Sequence, residues 1–370
     1  MSESRASLYE HCTRALDVGA TSGPHDLPTM RGGDWNDGMN RVGQHGQGES
    51  VWLAWFLART LLDFAPLAQA RGDQDRAAWC RQQISRLTRA AERSAWDGEW
   101  YRRAYFDDGT PLGSKQNAEC SIDAIAQSWA VIAGVGDRER AAQAVAAAEA
   151  RLVRPRERMM CLLDPPFEHA APDPGYIRAY PPGIRENGGQ YTHGVLWTIQ
   201  ALTLLREGNR AGALLELLNP VYHASTPEGV QRYRVEPYVV AADVYGGSEH
   251  PGRGGWTWYT GSAGWMYRIA LERVLGLRRG GKTLSLQPCI PSDWSQFEIS
   301  YRYLSSTYVI RVDNPERVSC GVAQLELDGK AVREGYVRLA DDGKTHELRV
   351  TLGTSEVVPQ SQRDPRFRAG

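Results

Sequence analysis

The spacing of apolar residues changes once along the chain, near residue 277, and that change limits the architectures open to it. Upstream, apolar side chains recur at helical spacing over 6–18, 50–71, 73–96, 121–134, 137–152 and 211–218, in a helix opened by 183–194 that runs through Trp197 to about 206, and in a last helix led by 254–265 that runs to about 277. Ser50 and Asp137 open two of these runs, where a short side-chain oxygen accepts a free backbone N–H of the first turn. Downstream, the stretches 283–287, 297–303, 307–312, 318–327, 335–338 and 346–352 alternate apolar with polar residues and are joined by Asp-Gly and Pro turns. The order predicts a mainly α chain: a helical domain over 1–277, a small antiparallel β-sandwich over 278–353 and a loosely held tail over 354–370. Neighbouring helices should pair as antiparallel hairpins, and no internal repeat of the solenoid kind is present.

Several function classes are disfavoured by composition. A formal net charge of −1 over 370 residues, with no block of like charge, offers no footprint for nucleic acid or an anionic membrane. The apolar run from Val51 stops at Arg59, short of a bilayer span, and 1–7 has no apolar signal core, so a soluble cytoplasmic domain is expected. Cys12, Cys80, Cys120, Cys161, Cys289 and Cys320 are far apart, form no Cys-x-x-Cys pair and have no His at ligand spacing; they read as reduced core thiols with no metal. Twelve Trp and sixteen Tyr against six Phe is a balance that suits a carbohydrate site as well as a core.

Chemistry-bearing residues sit in glycine-rich loops that precede helices. In Gly33-Asp-Trp-Asn-Asp-Gly38 the glycines permit close backbone approach and hold Asp34, Trp35, Asn36 and Asp37 on a turn. Trp35 can stack on a sugar ring while the amide and acids bind hydroxyls, and an indole wall takes solvent from an adjacent carboxyl, as a general acid requires. The plainer alternative is an Asx turn that caps a helix, with Trp35 filling the core. Glu186-Asn-Gly-Gly-Gln-Tyr-Thr-His193 opens a second helix, and Trp258-Tyr-Thr-Gly-Ser-Ala-Gly-Trp265 a third. Free N–H groups and a positive dipole at such ends suit an anion. For Glu186 three readings stand: a buried acid stapling its turn, a ligand for sugar hydroxyls, or a catalytic base. Asp34, Asp123 and Glu236 read as structural.

Four segments, Gly33–Gly38, Glu186–His193, Glu236-Pro-Tyr238 and Trp258–Trp265, occur in the order in which they resemble glycoside hydrolase family 94, the cellobiose and chitobiose phosphorylases. The start Ser7-Leu-Tyr-Glu-His-Cys12 and Gly38-Met-Asn-Arg-Val-Gly43 look most like the phosphorylase-like C-terminal region of cyclic β-1,2-glucan synthases. The resemblance covers nearly the whole chain. It implies an (α/α)₆ barrel followed by a jelly-roll-like β domain, and inverting phosphorolysis of a β-linked glucan to a sugar 1-phosphate. It assigns Asp37 as general acid, Trp35 to the donor sugar, Glu186 to the acceptor sugar, and His193, Thr260 and Gly261 to phosphate, with Asn36 a further substrate-binding residue. A single acid makes sense there, because inorganic phosphate is already an anionic nucleophile and needs no base. No cofactor is expected beyond phosphate as co-substrate. About eight helices are countable where such a barrel has twelve, so the barrel is expected to be incomplete at its N-terminus, the partner being the rest of a larger chain or another copy. An inverting hydrolase, or a glucan-binding fragment without turnover, are the alternatives.

Overall fold

The computed structural model describes residues 5–247, 249–258 and 261–354, and among these it has ten α-helices. They are α1 (Leu8–Gly19), α2 (Val51–Ala70), α3 (Gln74–Ala90), α4 (Ala124–Ala133), α5 (Arg138–Leu152), α6 (Thr192–Leu204), α7 (Gly208–Leu218), α8 (Pro220–His223), α9 (Pro227–Tyr233) and α10 (Gly261–Ile269). Their starts are local chemistry. Ser50 Oγ accepts Leu53 N at 3.0 Å, Asp73 accepts Arg76 N at 3.0 Å and Asp123 accepts Ile125 N at 2.9 Å, while Ser7 and Glu10 form a reciprocal box at the head of α1. Helix α4 stops at Gly134, whose left-handed φ of 66° no β-carbon opposes. The short α8 and α9 have no counterpart in the apolar pattern, being set by Asn219-Pro and Thr226-Pro starts.

Helices α2 and α3, α4 and α5, and α6 and α7 pack as hairpins, and α2, α4, α6 and α10 also lie side by side in one row. One indole from each member ties that row: Trp52 to Trp129 at 6.0 Å between ring centroids, Trp129 to Trp197 at 5.3 Å and Trp197 to Trp265 at 5.8 Å. Helix α2 is long and apolar enough to cross a membrane by length and composition; Arg59 pairs with Asp63 one turn on, so the helix runs past the point where its apolar stretch ends. In the fold 56% of that apolar window is buried, against α3 and α4.

From Leu277 the chain is strand-rich. Leu277–Gly280, Thr283–Leu286 and Val337–Arg338 form a three-stranded sheet. A five-stranded sheet follows, in the order Gln296–Tyr303, Ser306–Asp313, Thr345–Leu352, Val322–Leu327, Lys330–Ala331. The expectation of a purely antiparallel region fails at its centre, since Ser306–Asp313 and Thr345–Leu352 run parallel, in register from Thr307 opposite Thr345 to Asp313 opposite Thr351. Both strands leave the same corner: Ser306 Oγ accepts Asp342 N at 2.9 Å and Gly343 N at 3.1 Å, and Thr307 N donates to Lys344 O. The register then buries Tyr308, Ile310 and Val312 beside Leu348 and Val350. Helix residues Leu214, Leu218 and Val274 share one buried cluster with strand residues Leu284, Leu286 and Ile290. Of the tail expected over 354–370, residues from 355 on lie outside the described residues.

Candidate active site

The loop over 30–45 is anchored by a buried charge cluster. Asp34 takes both terminal nitrogens of Arg103, at 2.6 and 2.7 Å, and Asp123 Oδ2 lies 3.4 Å from Arg103 Nε; all three side chains are fully buried. Ser50 Oγ donates to Asp34 at 2.6 Å while capping α2, and Asp123 caps α4, so one guanidinium ties the loop to the starts of two helices. Asp34 also accepts Asn36 N at 2.9 Å, an Asx turn as in the plainer alternative, though Asp34 caps no helix. Burial raises the Asp123 pKa to about 6, against the opposing pull of Arg103.

Above this anchor the segment 173–180 docks on the loop. Arg41 N donates to Pro174 O, Tyr176 N donates to Asn40 Oδ1 at 3.1 Å, and a β-carbon on Gly38 would stand 3.0 Å from Ile177. Gly175, at φ 122°, lies so close to Asn40 and the Gly38 carbonyl that a side chain is excluded. The docking brings the Tyr176 phenol to Asp37; desolvation first, then the hydrogen bond with Asp37, pushes the Tyr176 pKa up to about 12. Asp37 itself is exposed, not walled by Trp35. Trp35 is half-buried and turned into an aromatic cluster, 5.5 Å from Tyr191, 5.4 Å from His193 and 5.3 Å from Trp197, an approach that Gly194 permits. Both polar atoms of the Asn36 side chain are buried without a partner among the described residues.

Glu186 is buried beside this loop, 3.3 Å from Arg185 Nε. Burial raises its pKa; Arg185 opposes the rise and the Asp37 charge adds to it. The turn is stapled by Asn187, which accepts Phe167 N at 2.7 Å and donates to the carbonyls of Phe167 and Tyr180 at 2.8 Å. Arg185 stacks over Tyr180 at 4.9 Å, and Glu186 and Tyr191 keep its charge favoured against burial. Arg185, Tyr191, His193, Asp243, Trp256, Gly261 and Ser262 line a cavity of about 180 Å³. Gly261 is the first residue of α10, so the start of that helix borders the same space as His193 and Arg185. Thr260 lies outside the described residues. Arg185 and Ser262 were not singled out from the sequence, although each adjoins a residue that was. Glu236 instead accepts Thr257 Oγ1 and Trp258 Nε1, both at 3.0 Å, and holds the approach to α10. Among the described residues no His, Cys, Asp and Glu group is arranged to hold a metal.

Among the described residues His193 Nε2 has no partner, and burial lowers the His193 pKa to about 4; His223, stacked 4.4 Å from Tyr233, is lowered to about 4 by burial and by Arg158 and Arg232. The unfolded chain protonates these rings near 6.5, so the stability they contribute is complete above that pH and is lost as pH falls towards 4. The thermal midpoint should fall over that interval, and His223→Gln should flatten part of the fall. An unchanged slope in both His193→Gln and His223→Gln would exclude the two rings as its source.

Arg185, His193, Asp243 and the aromatic rings of Tyr191 and Trp256 thus meet at the start of α10. In fold the chain is similar to a GH78 family rhamnosidase of Bacillus sp. GL1, with a TM-score of 0.50 at 15% identity, over 94% of this chain and 31% of that one. Residues 1–276 match the model of the glycosyl hydrolase 94 superfamily, catalytic domain, and the chain belongs to that family. It is 50% identical over 311 residues to the cyclic β-(1,2)-glucan synthase NdvB of Rhizobium meliloti (strain 1021), covering 84% of this chain and 11% of that protein. It is 32% identical to the solabiose phosphorylase of Paenibacillus borealis, over 95% of this chain and 46% of that protein. The N,N'-diacetylchitobiose phosphorylase of Vibrio proteolyticus is 31% identical, over 94% and 43%. The chain thus spans less than half the length of these relatives.

Proposed function

We propose that the chain carries the reacting site of an inverting glycoside phosphorylase acting on a β-linked glucan. In this reading Asp37 donates its proton to the glycosidic oxygen as that bond to the anomeric carbon breaks. A phosphate oxygen attacks the opposite face of the same carbon, giving a sugar 1-phosphate and a shortened glucan with inversion. Trp35 and Asn36 hold the donor sugar, Glu186 the acceptor sugar, and His193, Thr260 and Gly261 the phosphate, joined by Arg185. The observation that carries the reading is the cavity in which Arg185, His193 and the start of α10 converge beside Glu186. The names of two relatives, both phosphorylases, support it. The β-1,2 linkage rests on the synthase alone.

The finer architecture is part of the same proposal. The row α2, α4, α6 and α10 backed by α3, α5 and α7 is the alternation of inner and outer helices in an (α/α)₆ barrel, ending near residue 277 with a separate β domain over 278–353. The remaining helices would come from the rest of a longer polypeptide or from another copy, in the cytoplasm. The test is phosphate-dependent release of a sugar 1-phosphate from β-gluco-oligosaccharides. Turnover indifferent to phosphate would assign Asp37 and Glu186 instead as the acid and base of a hydrolase, and binding without turnover would mark a glucan-binding fragment. His193→Ala should weaken the response to phosphate about 10- to 100-fold, the worth of one hydrogen bond to a charged group, with a smaller effect on sugar. Equal losses for phosphate and sugar would give His193 a folding role.

A further inference from the structure

Two cysteines of the strand-rich region face each other. Cys289 and Cys320 are directly opposed in an isolated antiparallel bridge, and Ile290 N donates to Ser319 O at 2.8 Å beside it. A backbone bond between the flanking residues marks the non-hydrogen-bonded type of pair, in which the opposed α-carbons stand about 4.5 Å apart and the side chains approach most closely. That separation lies inside the window of roughly 4.4–6.8 Å that a disulfide spans without backbone movement. The two thiols already hydrogen-bond to each other. Cys289 is buried, whereas Cys320 is half-exposed, with its sulfur 3.7 Å from the Arg206 carbonyl at the end of α6. The expectation of six core thiols therefore fails for Cys320, and for the half-exposed Cys12 as well. No other pair of the six cysteines is opposed in a strand pairing among the described residues.

We propose that Cys289 and Cys320 are a redox modification site, closed to a reversible cross-strand disulfide by a small-molecule disulfide of the glutathione class. The reaction needs no other reagent. The Cys320 thiolate attacks the oxidant's disulfide, forming a mixed disulfide and releasing one thiolate. That thiolate takes the Cys289 proton, and the Cys289 sulfur displaces the second thiolate from Cys320. Two protein thiols are oxidised by two electrons and one disulfide is reduced to two thiols. Cys320 is the entry point because it is the less buried residue of the pair; its hydrogen bond to Cys289, and burial, push the Cys289 thiol up and leave it as the resolving partner.

The bond would staple the strand-rich region where it meets the helices. Ile290 and Ser319 crowd Gly208 at the start of α7, Pro291 crowds Gly212, and Ser292 N donates to Asn209 Oδ1 at 2.7 Å. Closing the segment 290–319 removes freedom from the unfolded chain, and for a chain of this size the thermal midpoint should rise by roughly 3–5 °C.

The test is to treat the folded chain with oxidised glutathione, quench, and map the cysteines by mass spectrometry with and without dithiothreitol. A dithiothreitol-sensitive link between the Cys289 and Cys320 peptides, two mass units lighter than the free pair, is expected, together with the rise in midpoint. Cys289→Ser should trap the glutathione adduct on Cys320, and this does not depend on how far the variant is destabilised, because the adduct is read on the soluble fraction. Free thiols at both positions after full exposure, separate glutathione adducts on the wild-type pair, or scrambled links to Cys12 at equal yield would each overturn the proposal.

Discussion

Replacing Asp37 with Asn should lower turnover of an unactivated β-glucan about 10²- to 10⁴-fold, the usual worth of a positioned general acid. The amide keeps the shape and the backbone of the turn, so sugar binding should change little. Asp37 is exposed on a short 3₁₀ turn, and its side chain meets the Tyr176 phenol, so the substitution removes no buried ion pair and should leave stability near the parent's. The loss should be confined to leaving groups that need a proton. A glycosyl fluoride, which leaves without help, should recover much of the lost rate, and this separates an absent acid from a displaced loop. The measurement is phosphate-dependent sugar 1-phosphate release on both substrates, in a polypeptide that contains these residues and turns over. Activity on the natural glucan within a few-fold of the parent would remove Asp37 from the role.

Arg103→Ala should destabilise the fold by about 3–5 kcal/mol, because it strands two buried carboxylates. Asp34 loses both of its guanidinium bonds and Asp123 its nearest cation, while Ser50 remains tied to an uncompensated charge. The injury should spread to the site, since the same guanidinium holds the 30–45 loop to the starts of α2 and α4. Neutralising the partners tests this cause directly: Arg103→Met combined with Asp34→Asn and Asp123→Asn should recover much of the loss, as buried ion pairs replaced by neutral groups often do. No recovery would mean that the guanidinium matters by volume, not by charge. Asp123 also carries a pH signature opposite to that of the histidines. Its folded pKa, about 6, lies above the unfolded value near 3.9, so its contribution is complete below the unfolded value and is lost as pH rises through 6. Asp123→Asn should therefore steepen the acid-side fall in stability that His193 and His223 produce. Chemical denaturation across pH 4–7 resolves the two signs.

What the sequence settled about this protein is what depends on neighbours within a few residues. Helix starts were legible because Ser50 and Asp137 accept N–H groups from their own first turns, and strand extents because alternation has a period of two. Of the residues in the motif segments, His193 and Gly261 line one cavity, with Trp35 5.4 Å from His193 and Glu186 next in sequence to the lining Arg185. Tertiary structure alone decided the rest. Arg103 is 69 residues from Asp34, so nothing local shows it as the anchor. Arg185 became a candidate anion ligand only when the start of α10 closed on it, and Asp37 proved exposed because Trp35 turned towards His193 and Trp197 instead. The parallel pairing of Ser306–Asp313 with Thr345–Leu352 escaped the pattern because alternation fixes which face of a strand is buried but not its direction. Direction was set by Ser306 and Asp342 meeting across 36 residues, a contact that exists only once the sheet has formed.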